Sequence, residues 1–488
     1  MKKENLPILY VTITCFFLSF CHCPLFEIFN DDKEIFKYTG LAISKGGVPY
    51  RDFFDHKPPL IFFLNYLGQL FGPWGFWLID TILALLASIL FLRLCRRFKL
   101  KYPWMLPILF NIMIRYSIVC LGTGQTREYT TVFLLMFFCL MLGHARYKHY
   151  LLGLLTALVL FMQQEQVITM LPFVVFALFS QSDGNYKKMF PRVIQFGIGS
   201  LVVIVPILLY FQIHHAIGNF WKDAVLFNTQ WYLDRLPLVR QLEVLKHRLS
   251  LSEFDNPFYS AAILGIASLF LKHRNKRLLT VCLFALFLSF SAEYLSGKLN
   301  FLECYYYFLP LAATIPSLLF VVFAFSEESF LAQGTPQLIF TAMLSAKLLL
   351  GTLRYVSGLT TNEDKIKKIP EMQFIKLQPL SNYQFFVFGN GNYVYVYNQD
   401  NILCPTRWVY QHFYFWYPNW DKDFAIIKTI TADLESHKTT YVLDYSSASA
   451  RRPILNNSIL QFWKDFLHAH YQPVKINGME SLLWKWKD

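Results

Sequence analysis

Side chains that could act together as a base and a cation are concentrated near the N-terminus. Asp31 and Asp32 precede the hexapeptide DHKPPL, which supplies Asp55, His56 and Lys57. A positioned carboxylate can deprotonate a hydroxyl or an amine. A nearby cation can offset the negative charge of a departing phosphate. The composition of this stretch therefore predicts a site that handles an anionic, phosphate-containing substrate.

Each of these acids also has a purely structural explanation. Asp31 and Asp32 can cap a helix that ends at Gly46-Gly47. Asp55 can cap a second short helix that Pro58-Pro59 opens. For one acid alone this explanation is sufficient. The concentration of so many ionisable groups between two apolar segments favours a functional site.

The rest of the N-terminal three quarters must position this stretch, and it is strongly apolar. The chain has 488 residues, of which 55% are hydrophobic and only 16% are charged, whereas soluble proteins carry about a quarter charged residues. The apolar residues come in blocks of roughly twenty, the length of a membrane-spanning helix. The sequence predicts a polytopic α-helical membrane protein with about 11 transmembrane helices. The predicted spans lie near 6–24, 76–94, 103–121, 129–144, 150–180 (two short spans broken by QQEQ), 193–213, 257–271, 278–295, 305–325 and 337–356.

Lysine and arginine cluster in short loops between these spans, as in RRFKLK and KHRNKR. This positive-inside pattern predicts a cytoplasmic N-terminus, with 25–75 and 214–256 as external segments and an external C-terminus. The formal charge of +13 therefore indicates anionic lipid or a lipid-linked substrate as partner, and not nucleic acid.

The character of the chain changes at about 358, which predicts a boundary between a membrane domain (1–357) and an external α/β domain (358–488). QFFVFGNGNYVYVYNQ predicts a hairpin, DFAIIKTITADLESH an amphipathic helix, and KTTYVLDYS and LWKWKD two strands. Nucleotide-binding and zinc-binding motifs are absent from this sequence, which favours a role in recognition or support.

The first loop resembles a known family. Asp31-Asp32 after the first span, followed by GGVPYRDFFDHKPPL, is similar to the bacterial GT-C membrane glycosyltransferases. These are relatives of the dolichyl-phosphate-mannose protein mannosyltransferases and of the lipid A aminoarabinose transferase. FWKDAVLFNTQWY and YYYFLPLA also resemble the family's pattern, so the resemblance covers roughly 1–356 in order.

The resemblance implies a reaction. Family members transfer a sugar, with inversion, from a polyprenyl-phosphate carrier to an acceptor on the external face, which in a bacterium is the periplasmic side of the inner membrane. The position of the catalytic aspartate matches Asp32 or Asp31, and the spacing to Gly46-Gly47 favours Asp32. The lysine before the prolines, Lys57, would contact the donor phosphate.

Further residues are predicted to assist. Near the donor phosphate we expect His56 and Arg127, and as supporting acids Asp55, Glu128 and Glu165. His56 is more simply explained as a solvated loop residue, and Glu165 has an equal claim to be a polar contact between helices. Some relatives use a divalent cation, but the first loop does not spell out ligands for one, so we predict no metal ligands.

Two other functions fit parts of the sequence. A transporter or flippase of a lipid-linked saccharide would carry its polar residues near the bilayer midplane, often in repeated halves. Here the charged residues lie in external loops and the halves show no repeat, which favours the enzyme. A non-catalytic homologue that only binds the lipid carrier would also keep the first loop. The sequence leaves the sugar and the acceptor open.

Overall fold

The structure is a computed structural model that describes most of the N-terminal half and most of the C-terminal region. The described residues are 5–20, 23–25, 31–116, 124–179, 186–231, 368–389, 393–411, 420–446 and 457–487, with isolated positions between 239 and 288. The predicted spans from 257 to 356 and the YYYFLPLA motif lie outside these ranges, so the predicted number of spans stays a prediction.

Helices dominate the N-terminal part, and they follow the predicted apolar blocks closely. They are α1 (Leu6–Phe20), α2 (Asp31–Ser44), α3 (Leu60–Leu70), α4 (Gly75–Arg97), α5 (Met105–Tyr116), α6 (Thr126–Leu142), α7 (Lys148–Met162), α8 (Gln166–Phe179), α9 (Tyr186–Ile213), α10 (Ile217–Phe220), a π-helical turn (Trp221–Leu226) and α11 (Phe227–Gln230). The polar QQEQ step interrupts the helical run between α7 and α8, as predicted.

Two of the described helices, α4 and α9, are long and apolar enough to cross a membrane by length and composition. One face of α9 carries large apolar side chains that are about half exposed, among them Ile198, Leu201 and Leu209. Such a continuous exposed apolar surface is unusual for a water-soluble protein and suits contact with lipid.

Small residues let α7 and α9 approach each other closely. A Cβ atom at Gly153 would collide with the backbone of Phe196, and one at Gly199 with the backbone of Tyr150. The hydroxyl of Ser200 donates to the Gly153 carbonyl at 3.0 Å. Close backbone approach at small residues is the usual way in which helices pack in a membrane, where water provides no driving force between them.

The helices are arranged so that the first loop and the basic loops lie at opposite ends. At one end, Arg51 of the first loop donates to the His214 carbonyl just after α9. At the other end, Arg97, the last residue of α4, donates to the Leu142 carbonyl at the end of α6. The first loop and the basic loops thus lie at opposite ends of the helices, as the alternating direction of the predicted spans requires.

The C-terminal part contains a four-stranded sheet with helices beside it. Its elements are α12 (Pro370–Lys376), β1 (Phe385–Phe388), α13 (Tyr395–Gln399), α14 (Ala425–Ser436), β2 (Tyr441–Asp444), α15 (Asn457–His470), β3 (Tyr471–Ile476) and β4 (Met479–Trp486). The strand order is β1-β2-β4-β3, with β1 and β2 parallel and the other pairs antiparallel. The predicted strands β2 and β4 and the predicted helix α14 are confirmed.

The predicted hairpin is wrong. Only its first half is a strand, β1, and β1 pairs with β2 in parallel, while the second half contains the helix α13. The apolar alternation of YVYVY suits a strand, but contacts with α2 decide the conformation. The ring of Tyr397 lies 5.4 Å from that of Tyr38, and Asn398 binds Glu34. Tertiary packing thus outweighs β-propensity over these few residues.

Candidate active site

The first loop brings an acid and a lysine together across twenty-five positions of sequence. The Lys57 ammonium lies 3.9 Å from an Asp32 carboxylate oxygen and 3.7 Å from one of Asp55. Its Nζ atom stands 5.0 Å from the centre of the Phe36 ring on the next turn of α2. In the described part of the chain these are the two carboxylates that pair with Lys57. Asp31 is the first residue of α2, but its side chain is not among those that the structure describes.

The geometry leaves Lys57 able to bind an anion. Both Lys57–carboxylate distances exceed the range of a direct N–H···O hydrogen bond, about 2.7–3.2 Å. An ammonium has three N–H donors. A phosphate oxygen could therefore be received between Lys57 and the carboxylates, with the lysine neutralising its charge.

Asp55 holds the lysine in place. Its side chain is fully buried, and one carboxylate oxygen accepts the backbone N–H of Lys57 at 3.0 Å and lies 3.4 Å from Nδ1 of His56. Burial alone would raise the pKa of Asp55, but the charge of Lys57 and the contacts with His56 outweigh it and lower the pKa to about 2. Asp55 is therefore an ionised anchor, which makes it a poor general base.

Two turns fix the path of the chain around Lys57. Tyr50 adopts a left-handed backbone conformation, with φ of 67°, and its buried hydroxyl donates to the Lys57 carbonyl at 2.7 Å. Pro59 caps α3, which begins at Leu60. Because proline has a fixed φ and lacks an N–H, it starts a helix at low cost. The predicted short helix that Pro58-Pro59 opens is confirmed.

The segment that follows α9 packs directly on the first loop. Asn228 donates to the His56 carbonyl at 2.6 Å, and the ring of Phe227 lies 5.8 Å from that of His56. Gln164, in the turn between α7 and α8, donates to the Ala224 carbonyl at 3.1 Å. The QQEQ step thus lies at the same end of the helices as Lys57.

The other predicted acids are engaged elsewhere. Glu128 belongs to a buried ion cluster in which Arg115 pairs with both Glu128, at 3.2 Å, and Asp80. The backbone N–H of Gly124 also donates to Glu128, at 2.8 Å. Asp80 and Arg115 were not singled out from the sequence. Their signal was a charged residue inside an apolar block, which is rare and usually functional or paired.

Glu128 nevertheless lies near the start of α2. A Cβ atom at Gly124 would stand 3.6 Å from Cγ of Lys33, the residue after Asp32. Arg127 is buried beside Glu128 on α6. Glu165 accepts a hydrogen bond from Gln163 at 3.1 Å within the QQEQ turn. The structure therefore brings Asp32, Asp55, His56 and Lys57 together, while Glu128 and Glu165 have partners outside that group.

Within the described residues, no three side chains of histidine, cysteine, aspartate or glutamate come together as a metal-binding group. Asp32 and Asp55 both lie beside Lys57, whose ammonium already supplies positive charge there.

The C-terminal region covers the first loop and contacts α2. Arg407 forms an ion pair with Asp223, and its carbonyl accepts the Phe54 N–H at 2.8 Å. Asn398 donates to a Glu34 carboxylate oxygen at 2.8 Å. These contacts link the C-terminal region to the helix that carries Asp32.

The Asp223–Arg407 pair predicts a pH dependence of stability. Burial raises the pKa of Asp223 to about 6, although Arg407 opposes this. The ordinary value is 3.8. Between about pH 4 and pH 6 the folded chain holds a proton there that the unfolded chain releases, so the free energy of unfolding falls as pH rises through that range. Across the whole range the free energy of unfolding should fall by at most about 3 kcal/mol. We expect Asp223→Asn to remove this pH dependence.

Thermal unfolding of the detergent-solubilised protein across that pH range measures this slope. Asp423→Asn is the matched control, because Asp423 is an exposed aspartate of the C-terminal region. The slope should persist in the control. An unchanged slope in Asp223→Asn would show that another group titrates.

Comparison with known proteins identifies the fold. No protein-family model matches the chain, and no curated protein sequence matches it significantly. Among solved structures, the crystal structure of ArnT from Cupriavidus metallidurans bound to undecaprenyl phosphate is similar. The TM-score is 0.55 at 13% sequence identity, and the match covers 82% of this chain and 85% of that chain. At this identity the likeness establishes the fold alone, and at that level it confirms the predicted resemblance.

Proposed function

We propose that this chain, which has the GT-C fold of ArnT, is an integral membrane glycosyltransferase that uses a polyprenyl-phosphate-linked sugar. ArnT was crystallised with undecaprenyl phosphate, a lipid phosphate of the same chemical class as the proposed donor. The observation that carries the proposal is the juxtaposition of Asp32 and Lys57 at 3.9 Å. One group can take a proton and the other can receive a phosphate.

The proposed reaction is a single displacement at the anomeric carbon. Asp32 removes the proton from the acceptor hydroxyl or amine as its oxygen or nitrogen attacks the sugar. The bond between the anomeric carbon and the phosphate oxygen breaks, and its electron pair leaves with the polyprenyl phosphate. Attack from the face opposite the leaving group inverts the configuration. Lys57 stabilises the negative charge that grows on the departing phosphate.

Each neighbour of Lys57 has a supporting role in this scheme. Ionised Asp55 fixes the lysine from within the protein, and the Tyr50 hydroxyl fixes its backbone. His56 lies at the edge of the same group, where it is a second candidate for a phosphate contact. Asn228 of the second external segment holds the backbone of His56. Such fixed neighbours reduce the reorganisation that the reaction would otherwise need.

The remaining predicted residues stay candidates. Asp31 is the alternative base beside Asp32. Arg127 and Glu128 lie on α6 near the start of α2, and Glu165 lies in a turn at the same end of the helices. We propose that Arg127, Glu128 and Glu165 line the route of donor or acceptor and do not take part in bond exchange.

We place the reaction on the external face, which in a bacterium is the periplasmic side of the inner membrane. The loop charges support this orientation, because the basic loops lie at the opposite helix ends. The C-terminal α/β domain would then lie on the same side and steady α2 through its contacts with Glu34 and Tyr38.

Mass spectrometry of glycolipids, glycans and glycoproteins from cells with and without this chain tests the function. We expect one sugar-bearing product to disappear in the deletion strain, while the polyprenyl-phosphate-linked sugar accumulates on the external leaflet. Restoring the wild-type chain should restore the product, whereas a chain with Asp31→Asn and Asp32→Asn should not.

The alternatives give other outcomes. A flippase would leave the lipid-linked sugar on the inner leaflet of the deletion strain. A non-catalytic carrier-binding protein would support the product equally well after both aspartates are replaced. Either result would contradict the proposed enzyme.

A further inference from the structure

A basic cluster forms at the helix ends opposite the candidate active site. We define it as Arg97 of α4, Lys148 and His149 of α7, and Arg192 of α9. Arg97 donates to the Leu142 carbonyl, and Lys148 lies 3.4 Å from the adjacent Gly143 carbonyl. The cluster therefore joins the ends of several helices at one place.

The charges in this cluster act on each other. Lys148 and His149 are only 7% and 8% exposed. Arg97 and Arg192 act electrostatically on Lys148, and Arg192 and Lys148 act on His149. All of these neighbours are cationic. Like charges held together at low exposure repel each other, so an anion bound among them would be strongly favoured.

Support of the fold explains only part of the cluster. Arg97 and Arg192 donate to carbonyls at the ends of α6 and α8, where a cation is favourable for the helix. Lys148 and His149 begin α7 instead, where the helix favours an anion. In the described part of the chain, Nδ1 of His149 is buried without a hydrogen-bond partner. Because buried polar atoms are nearly always hydrogen-bonded, a ligand or a water is expected to bind this nitrogen.

The position of the cluster selects the kind of anion. The 23 residues of α4 extend about 35 Å from the first-loop end to Arg97, slightly more than a hydrocarbon core of roughly 30 Å. A helix that begins at one membrane surface therefore places Arg97 among the headgroups of the other. Basic pockets between helices at this level suit phosphate headgroups.

We propose that the basic cluster binds the phosphate headgroup of an anionic phospholipid in the leaflet opposite the active site. Arg97 and Lys148 supply the charge, and His149 supplies a ring nitrogen. This inference does not depend on sugar transfer; it requires only that the helices lie in a membrane. A bound headgroup would hold α4, α6 and α7 together at the end remote from Lys57.

Native mass spectrometry of the full-length protein tests the site, with phosphatidylglycerol and zwitterionic phosphatidylcholine as probes. We expect wild type to retain phosphatidylglycerol preferentially, and the double variant Arg97→Gln, Lys148→Gln to bind it about 10-fold more weakly. The matched control is Lys187→Gln, Lys188→Gln, which removes two exposed lysines near the start of α9 and should retain wild-type binding.

Thermal unfolding provides an independent readout. Phosphatidylglycerol should raise the melting temperature of wild type and of the control, but not of the double variant. If the double variant does not fold, Lys148→Gln alone should still show a smaller shift than Lys148→Arg, which keeps the charge. Equal loss of lipid in the test and control variants would overturn the proposal. Stabilisation by inorganic phosphate without stabilisation by phosphatidylglycerol would also overturn it.

Discussion

Asp32→Asn is expected to abolish sugar transfer while leaving the protein folded. Asparagine has nearly the same shape as aspartate, but it cannot accept the acceptor's proton. Positioned general bases contribute about 10²- to 10⁴-fold to a rate, so kcat should fall by at least about 100-fold. Asp32 is partly exposed at the start of α2, so its replacement should cost little stability. Initial transfer rates with the purified protein and the donor identified by mass spectrometry measure the effect.

The control variants separate the base from its neighbours. Asp31→Asn changes the adjacent acid, and Asp423→Asn changes an exposed acid of the C-terminal region. Both should retain most of the activity. Undecaprenyl phosphate should bind to Asp32→Asn as tightly as to wild type, because Lys57 remains. If Asp31→Asn were inactive and Asp32→Asn active, the base would be Asp31 and not Asp32.

Much of the candidate site could be predicted because its residues are close in sequence. Asp55, His56 and Lys57 are consecutive, and proline at the start of α3 and glycine at the end of α2 mark their turns through local backbone preferences. Gly46, with φ of 89°, is an example, since a left-handed conformation favours glycine. The break between α7 and α8 was also predicted from a local signal, the polar QQEQ step inside an apolar run.

Contacts between distant parts of the chain could not be predicted in the same way. The cluster of Asp80, Arg115 and Glu128 joins α4, α5 and α6, and a single sequence does not tell which charged residues of separate helices meet. The contact between Glu34 and Asn398 spans 364 positions. For the same reason α13 was mistaken for a strand: its conformation depends on α2, which the local pattern of YVYVY does not reveal.

Lys57→Met is expected to weaken binding of the lipid phosphate and to destabilise the first loop. Methionine keeps the length of the side chain near Phe36 but removes the ammonium. A hydrogen bond to a charged group contributes about 1.5–3 kcal/mol, so the Kd for undecaprenyl phosphate should rise roughly 10- to 100-fold. Lys45→Met is the matched control, because Lys45 is an exposed lysine between α2 and α3 that contacts Asn382 and Asn401.

The loss of stability has a separate cause, and a second substitution distinguishes it. Without Lys57, the fully buried Asp55 carboxylate loses its lysine partner, and breaking a buried ion pair by removing one partner costs about 3–5 kcal/mol. Adding Asp55→Asn removes that charge while its oxygen still accepts the backbone N–H of residue 57. The double variant should therefore regain much of the melting temperature but none of the affinity for undecaprenyl phosphate. If affinity returned together with stability, Lys57 would be a structural residue only, and the phosphate would have to bind elsewhere.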